Sequence, residues 1–223
     1  NGETVSGACA YGPDVPTKVV LFGDSHAAQW MPVLEELAYE QNFQLISLTK
    51  SACPGPAVLK VETGEYKNAD CSTWRDNSIA RIKSIKPMAV LVSGMQYFEV
   101  PSGYASRAYW WSEGEAKTFA ALQGSSKHII YISDTPHPQR DIPSCIAAGR
   151  IDKCNNTEPS QAIFTTGWQQ INPTPWFCAQ NCPAILNGVV VYRDASHISV
   201  MASKMVKPQL LSTLLSLGVF ASK

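Results

Sequence analysis

Several kinds of pattern are missing from this sequence, and each absence removes a class of protein. No apolar run approaches the ~20 residues that a membrane-crossing helix needs. Neither sign of charge is in excess: 18 Lys and Arg stand against 18 Asp and Glu, a formal net charge of zero. Without a basic block there is no electrostatic footprint for nucleic acid or an anionic membrane surface, so no nucleic-acid partner is expected. No glycine-rich loop of the phosphate-cradling type occurs, which argues against a coenzyme bound directly by this chain. Nothing repeats internally, and no segment is low in complexity.

What is present reads as an ordinary globular domain. Hydrophobic residues make up 45% and charged residues 16% of 223 positions, enough for one sizeable core and a single domain over 1–223. The chain opens Asn-Gly-Glu without methionine, as expected of a processed product or an excised fragment.

Seven cysteines are more informative than the charge count. They fall as Cys9, then Cys53 and Cys71, Cys145 and Cys154, and Cys178 and Cys182, each later pair bounding a short polar or proline-containing segment. Three local disulfides follow most economically and point to an extracytoplasmic compartment. Cys9 is left over, with a partner expected upstream of this sequence. Cys178-x3-Cys182 also has zinc-like spacing, but no second compact Cys or His pair matches it, so no metal is expected.

Short apolar or β-branched runs at 18–22, 44–48, 89–93, 128–132 and 189–192 lack sustained alternation, as strands buried on both faces do. Helical patterns lie between them. Trp30, Val33, Leu34, Leu37 and Ala38 share one helical face, and Trp74, Ile79, Ile82 and Ile85 another; a third helix is expected over 115–122, and a fourth over 199–217 with a kink at Pro208. This alternation predicts an α/β fold, a five-stranded parallel sheet with helices on both faces, its ligand chemistry at the carboxyl ends of the strands. Segments 54–68 and 136–175, rich in Pro, Asn, Thr and Gly, read as surface loops stapled by the disulfides. The tryptophans at 30, 110, 111, 168 and 176 read as core or loop anchors.

The chemistry concentrates at two strand-to-helix turns. Gly23-Asp24-Ser25-His26-Ala27 places a serine after the first run, and Asp194-Ala-Ser-His197 supplies a carboxylate and an imidazole after the last. A serine hydroxyl needs a base to take its proton; His197 is the candidate, with Asp194 holding the tautomer and stabilising the imidazolium. Ser25, His197 and Asp194 thus make a candidate triad for a serine hydrolase or acyltransferase. The Ser25 amide is the expected first oxyanion donor, with Gly94 and Gln96 offering a second. Asp24 reads as a turn-former or a partner behind the site, and His26 as lining the pocket or packing beneath it. Asp134-x-x-His137 repeats the Asp-x-x-His spacing, but prolines at 136 and 138 stiffen it and no helix follows. His128, opening a strand, reads as structural.

These motifs resemble the SGNH fold of the GDSL hydrolase superfamily, with Gly23-Asp24-Ser25 as the nucleophile block and Asp194-x-x-His197 as the base block. The Gly-Asp-Ser-His-Ala form, and Ile198-Ser199 after the base, resemble the subgroup fused to membrane acyltransferase-3 domains. Cys53-Pro54, Cys71-x2-Trp74, Asp134-Thr-Pro136 and Trp176-Phe-Cys178 extend the likeness over nearly the whole chain, in a pattern similar to actinobacterial members. One block departs: Gly-x-Asn-Asp is here Gly94-Met-Gln96-Tyr97, and Gly55 is the nearest choice for a separate oxyanion glycine. The resemblance implies a flavodoxin-like three-layer α/β/α sandwich and an O-acyltransferase, acetyl by expectation, working through acyl-Ser25 on a hydroxyl of a cell-envelope glycan or glycolipid. It implies a membrane domain upstream in the same polypeptide that tethers this part on the periplasmic or cell-wall side and delivers the acyl group, ultimately from acetyl-CoA or another acyl-CoA. A carbohydrate O-acetylesterase with the same triad, and a non-catalytic glycan-binding module, are the alternatives.

Overall fold

A computed structural model of the chain describes residues 2–62, 67–155, 163 and 167–221. Its centre is a six-stranded sheet in the order β1-β3-β2-β4-β5-β6, formed by Ala10–Tyr11 (β1), Lys18–Gly23 (β2), Gln44–Thr49 (β3), Ala89–Ser93 (β4), His128–Ile132 (β5) and Gln169–Ile171 (β6). The last five strands run parallel, and β1 is antiparallel against β3. Successive residues of β2 serve opposite faces. Val19 and Leu21 pack with Val33, Leu34 and Leu37 of α2 (Met31–Gln41) and with Leu210 and Leu214. Val20 and Phe22 pack with Trp74 and Ile82 of α3 (Asn68–Ile85) and with Trp110 and Trp111 of α4 (Arg107–Leu122). A strand covered on both sides has no polar face to show, which is why these runs carry no alternation.

Four strands fall where the apolar runs place them, but the fifth does not. The run at 189–192 yields only Val189–Val190, paired antiparallel with Ile185–Leu186 around Asn187 and Gly188, both at positive φ. An Asn-Gly pair closes a tight hairpin, and here that local preference prevails. The sheet position goes instead to Gln169–Ile171, a polar edge strand inside the segment read as loop. The segment from 54 is likewise not all surface: Cys53, Pro54, Gly55 and Pro56 are buried. Arg75 donates to the Pro54 carbonyl at 3.2 and 3.3 Å, and Thr118 to the Gly55 carbonyl at 3.0 Å. The C-terminal helix divides at Val206 into Val200–Met205 and Lys207–Ser216, with Pro208 in the first turn of the second piece, where a missing N–H costs nothing.

The disulfides are Cys53–Cys71, Cys145–Cys154 and Cys178–Cys182. The last takes the pair whose spacing resembled a zinc site. Cys9 is a free, exposed thiol.

One backbone contact positions the functional edge. Gly23 ends β2 at φ 153°, so close to β4 that a Cβ would stand 2.0 Å from the Ser93 carbonyl oxygen and 2.8 Å from the Ala27 Cβ. Only glycine lets the chain turn there from strand into helix. Gly23→Ala is expected to cost about 3 kcal/mol or more, read from the urea midpoint; a midpoint at the wild-type value contradicts the crowding. Removing Cys53–Cys71 is expected to cost about 3 kcal/mol and Cys178–Cys182, which closes a far shorter loop, about 2 kcal/mol, in calorimetric melts.

Candidate active site

Ser25 opens α1 (Ser25–Ala28), whose cap is Asp24: one carboxylate oxygen accepts from the His26 amide at 2.8 Å. The other accepts from the Met95 amide at 3.0 Å. Asp24 therefore fixes both the turn that carries Ser25 and the loop after β4. Burial pushes its carboxyl above the ordinary range.

His197 lies on a loop pinched by an antiparallel bridge between Tyr192 and Ile198. The Arg193 amide donates to the His197 carbonyl at 3.0 Å, and the Ser199 amide to the Val191 carbonyl at 2.8 Å. Gln29, the residue after α1, accepts from the Ile198 amide at 3.0 Å through its side chain and so seats this loop on the serine helix. His197 Nε2 lies 2.8 Å from Ser25 Oγ. On the other side, His197 Nδ1 lies 2.9 Å from one Asp194 oxygen, while the second Asp194 oxygen accepts from the amides of Ser196 and His197 at 2.8 and 2.7 Å. Partial burial raises the Asp194 pKa, but the hydrogen bonds from His197 and Ser196 outweigh it and hold the carboxyl below its ordinary value. With an ionised carboxylate at Nδ1, Nε2 is left to face the serine hydroxyl as acceptor. Ser25, His197 and Asp194 line one cleft of about 370 Å³ together with Ala52, Met95 and Phe98. A second, adjoining hollow of about 290 Å³ is more polar, with Thr49, Ser51 and Arg193 beside Ser25.

The expected oxyanion residues divide. The Ser25 amide stands at the first position of α1, with no intrahelical acceptor. Gly94 packs where a Cβ would come within 2.6 Å of Pro54, and lies beside the Asp24 carboxylate. Gln96 is engaged elsewhere: its backbone amide donates to Asp134 at 3.0 Å, and its side-chain amide donates to Tyr131 Oη at 3.0 Å and to the Ile163 carbonyl at 3.2 Å. All of its N–H groups are thereby turned away from Ser25. Gly55, with Val92 and Phe22 against it, is packing rather than cleft wall.

His26 packs beneath the site. Its Nδ1 lies 2.7 Å from Asp134, both side chains being 1% exposed, and its ring meets that of His197 at 4.5 Å between centroids. The Asp134 side chain is thus bonded to His26, and the His137 ring rests on Tyr97. Burial alone lowers the His26 pKa; the Asp134 charge and hydrogen bond, then Asp24 and Asp194, reverse this and raise it to about 9. His128 is bonded to Gln169 at 3.3 Å, outside the cleft. Trp30, Trp110 and Trp111 are buried core anchors.

The family model described as "SGNH domain (fused to AT3 domains)" matches residues 1–212. No curated protein matches in sequence. Among solved structures, the periplasmic domain of the lipopolysaccharide acetyltransferase of Salmonella serovar Paratyphi A is similar, with TM-score 0.70 and 14% identity over 91% of this chain and 85% of that one. A candidate acylhydrolase from Bacteroides fragilis aligns with TM-score 0.51 and 7% identity over 93% of this chain and 90% of that one. At these identities the likeness concerns the fold.

Because the folded state raises the His26 pKa, the pair contributes stability that is fully present below about pH 6.5 and is lost as pH rises through about 9. Unfolding free energy is therefore expected to fall by up to about 3 kcal/mol across that window, and His26→Asn to flatten the fall; an equal slope in both proteins contradicts the assignment.

Proposed function

Since the chain belongs to the family of SGNH domains fused to AT3 domains, we propose that it performs extracytoplasmic O-acyl transfer, taking an acyl group, acetyl in our reading, onto Ser25 and passing it to a hydroxyl of an envelope glycan or glycolipid. The observation that carries this is the hydrogen-bond series from Ser25 Oγ through His197 to Asp194, at 2.8 and 2.9 Å, opening on a cleft. The three disulfides and the fold shared with a periplasmic acetyltransferase domain support the compartment and the chemistry.

In the first half-reaction His197 Nε2 takes the hydroxyl proton as Ser25 Oγ attacks the acyl carbonyl. Asp194 stabilises the imidazolium, and the amides of Ser25 and Gly94 are assigned to the oxyanion. Collapse forms acyl-Ser25 and returns the proton to the leaving group. In the second half the acceptor hydroxyl replaces the serine hydroxyl: it gives its proton to His197 and attacks the acyl carbon, and collapse expels Ser25 Oγ, which takes that proton back from His197 Nε2. The short apolar wall of Ala52, Met95 and Phe98 suits a small acyl group, and the polar hollow of Thr49, Ser51 and Arg193 suits a sugar hydroxyl. No coenzyme enters this site in our scheme; the acyl group comes ultimately from acetyl-CoA or another acyl-CoA through the membrane domain of the same polypeptide.

Mass spectrometry after exposure to an activated acetyl ester tests the first half. One acetyl group is expected on Ser25 and none in Ser25→Ala, with acylation slowed about 10⁴-fold in His197→Ala or Asp194→Asn. A wild type that stays unlabelled overturns the nucleophile. Competition between oligosaccharide acceptors and water tests the second half: failure of every acceptor to divert acetyl from water makes the protein an esterase.

A further inference from the structure

We propose that the buried pair His26–Asp134 is a positioning device for the reacting couple, seating the His197 ring from behind and locking together three strand ends beneath the cleft; this rests on Ser25 and His197 being that couple. Asp134 follows β5, and its carboxylate gathers three donors: His26 Nδ1 at 2.7 Å and the Thr135 amide at 2.8 Å on one oxygen, and the Gln96 amide at 3.0 Å on the other. The ends of β2, β4 and β5 thus converge on one charge. Burying two charged groups carries a desolvation cost wherever it is done, so the location of this pair is informative beyond whatever stability it contributes. This one lies directly under the site.

His26 also follows Ser25 on the same short helix. Two adjacent residues of α1 therefore fix His197, Ser25 by a hydrogen bond to Nε2 and His26 by ring contact at 4.5 Å with the planes tilted 45°. Among the described residues the Nε2 of His26 is buried without a hydrogen-bond partner. Its ring orientation is consequently set by Asp134 on one side and His197 on the other, not by satisfaction of both nitrogens. The titratable groups around it are Asp24 on its own turn, Asp134 and His137 beyond β5, and Asp194 and His197 on the closing loop. Neither His26 nor Asp134 lines the cleft, so the pair acts on turnover and leaves ester binding alone.

Two variants test this. His26→Asn keeps a short amide donor towards Asp134 and removes the ring and its charge; Asp134→Asn removes the counter-charge. Nitrogen-detected NMR of the imidazoles, recorded on each folded variant, is expected to show His197 displaced from its wild-type chemical shifts. Single-turnover acylation by an activated acetyl ester is expected to slow by up to about 10²-fold with KM unchanged, and the wild-type rate to decline above about pH 9 in a limb that His26→Asn lacks. If Asp134→Asn does not fold, His26→Asn decides alone. Wild-type His197 signals and wild-type rates in a folded His26→Asn overturn the proposal. Failure of wild type to acylate at Ser25 is a different result: it removes the reacting couple, while the His197 displacement still reports whether the pair positions that ring.

Discussion

Asp24 and Asp134 are carboxylates with 0% and 3% of their surface exposed, and between them they accept hydrogen bonds from the backbone amides of His26, Met95, Gln96 and Thr135. The carboxyl ends of parallel strands release their chains into loops whose amides have no ladder to join, and a buried amide left unpaired is costly. Here two side chains do the work that water does at an open surface. Because each carboxylate bridges loops from different strands, the floor of the cleft is one connected object: the serine turn, the loop after β4 and the loop after β5 cannot shift independently. Gly23 completes it by letting β2 and β4 touch at the point of departure.

The strands buried on both faces were legible in the sequence because their composition has a physical cause, and β2, β3, β4 and β5 lie within a residue of the apolar runs. The polar edge strand 169–171 carries no such signature, since it is short and two of its three residues are half-buried glutamines, with Ile171 alone facing the core. At 189–192 hydrophobicity gave the wrong reading because Asn187-Gly188 sets a turn whose local geometry outranks the run. In the site, Ser25, Asp194 and His197 were found through their turns, and the structure brings them within hydrogen-bond distance. Asp134 was not. Its own neighbour His137 offers the familiar spacing, whereas its partner is 108 positions away, and pairings at that separation leave no mark on a single sequence. Gln29 was missed for the same reason, being an ordinary helix-end residue until Ile198 is seen against it.

The cleft wall shows a related division of labour. Ala52, which lines it, has φ 57°, a left-handed conformation that costs a non-glycine residue about 1–3 kcal/mol and persists only where the surroundings enforce it. The turn is closed by the Cys53 amide on the Lys50 carbonyl at 3.1 Å, and Cys53 is then bonded covalently to α3. The disulfide thus anchors the wall from behind, in the same sense that Arg75 anchors the next residue, Pro54.

The loop that carries Asp194 and His197 is closed by its own bridge, so the carboxylate and the imidazole are neighbours by local chemistry, three positions apart. Ser25 reaches the same imidazole across 172 positions. The loop-closure entropy of the second contact is met only once the sheet between them has assembled. Along a refolding time course, then, the acid–base half can exist in a partly organised chain, whereas the serine contact, and with it reactivity at Ser25, is a reporter of global topology.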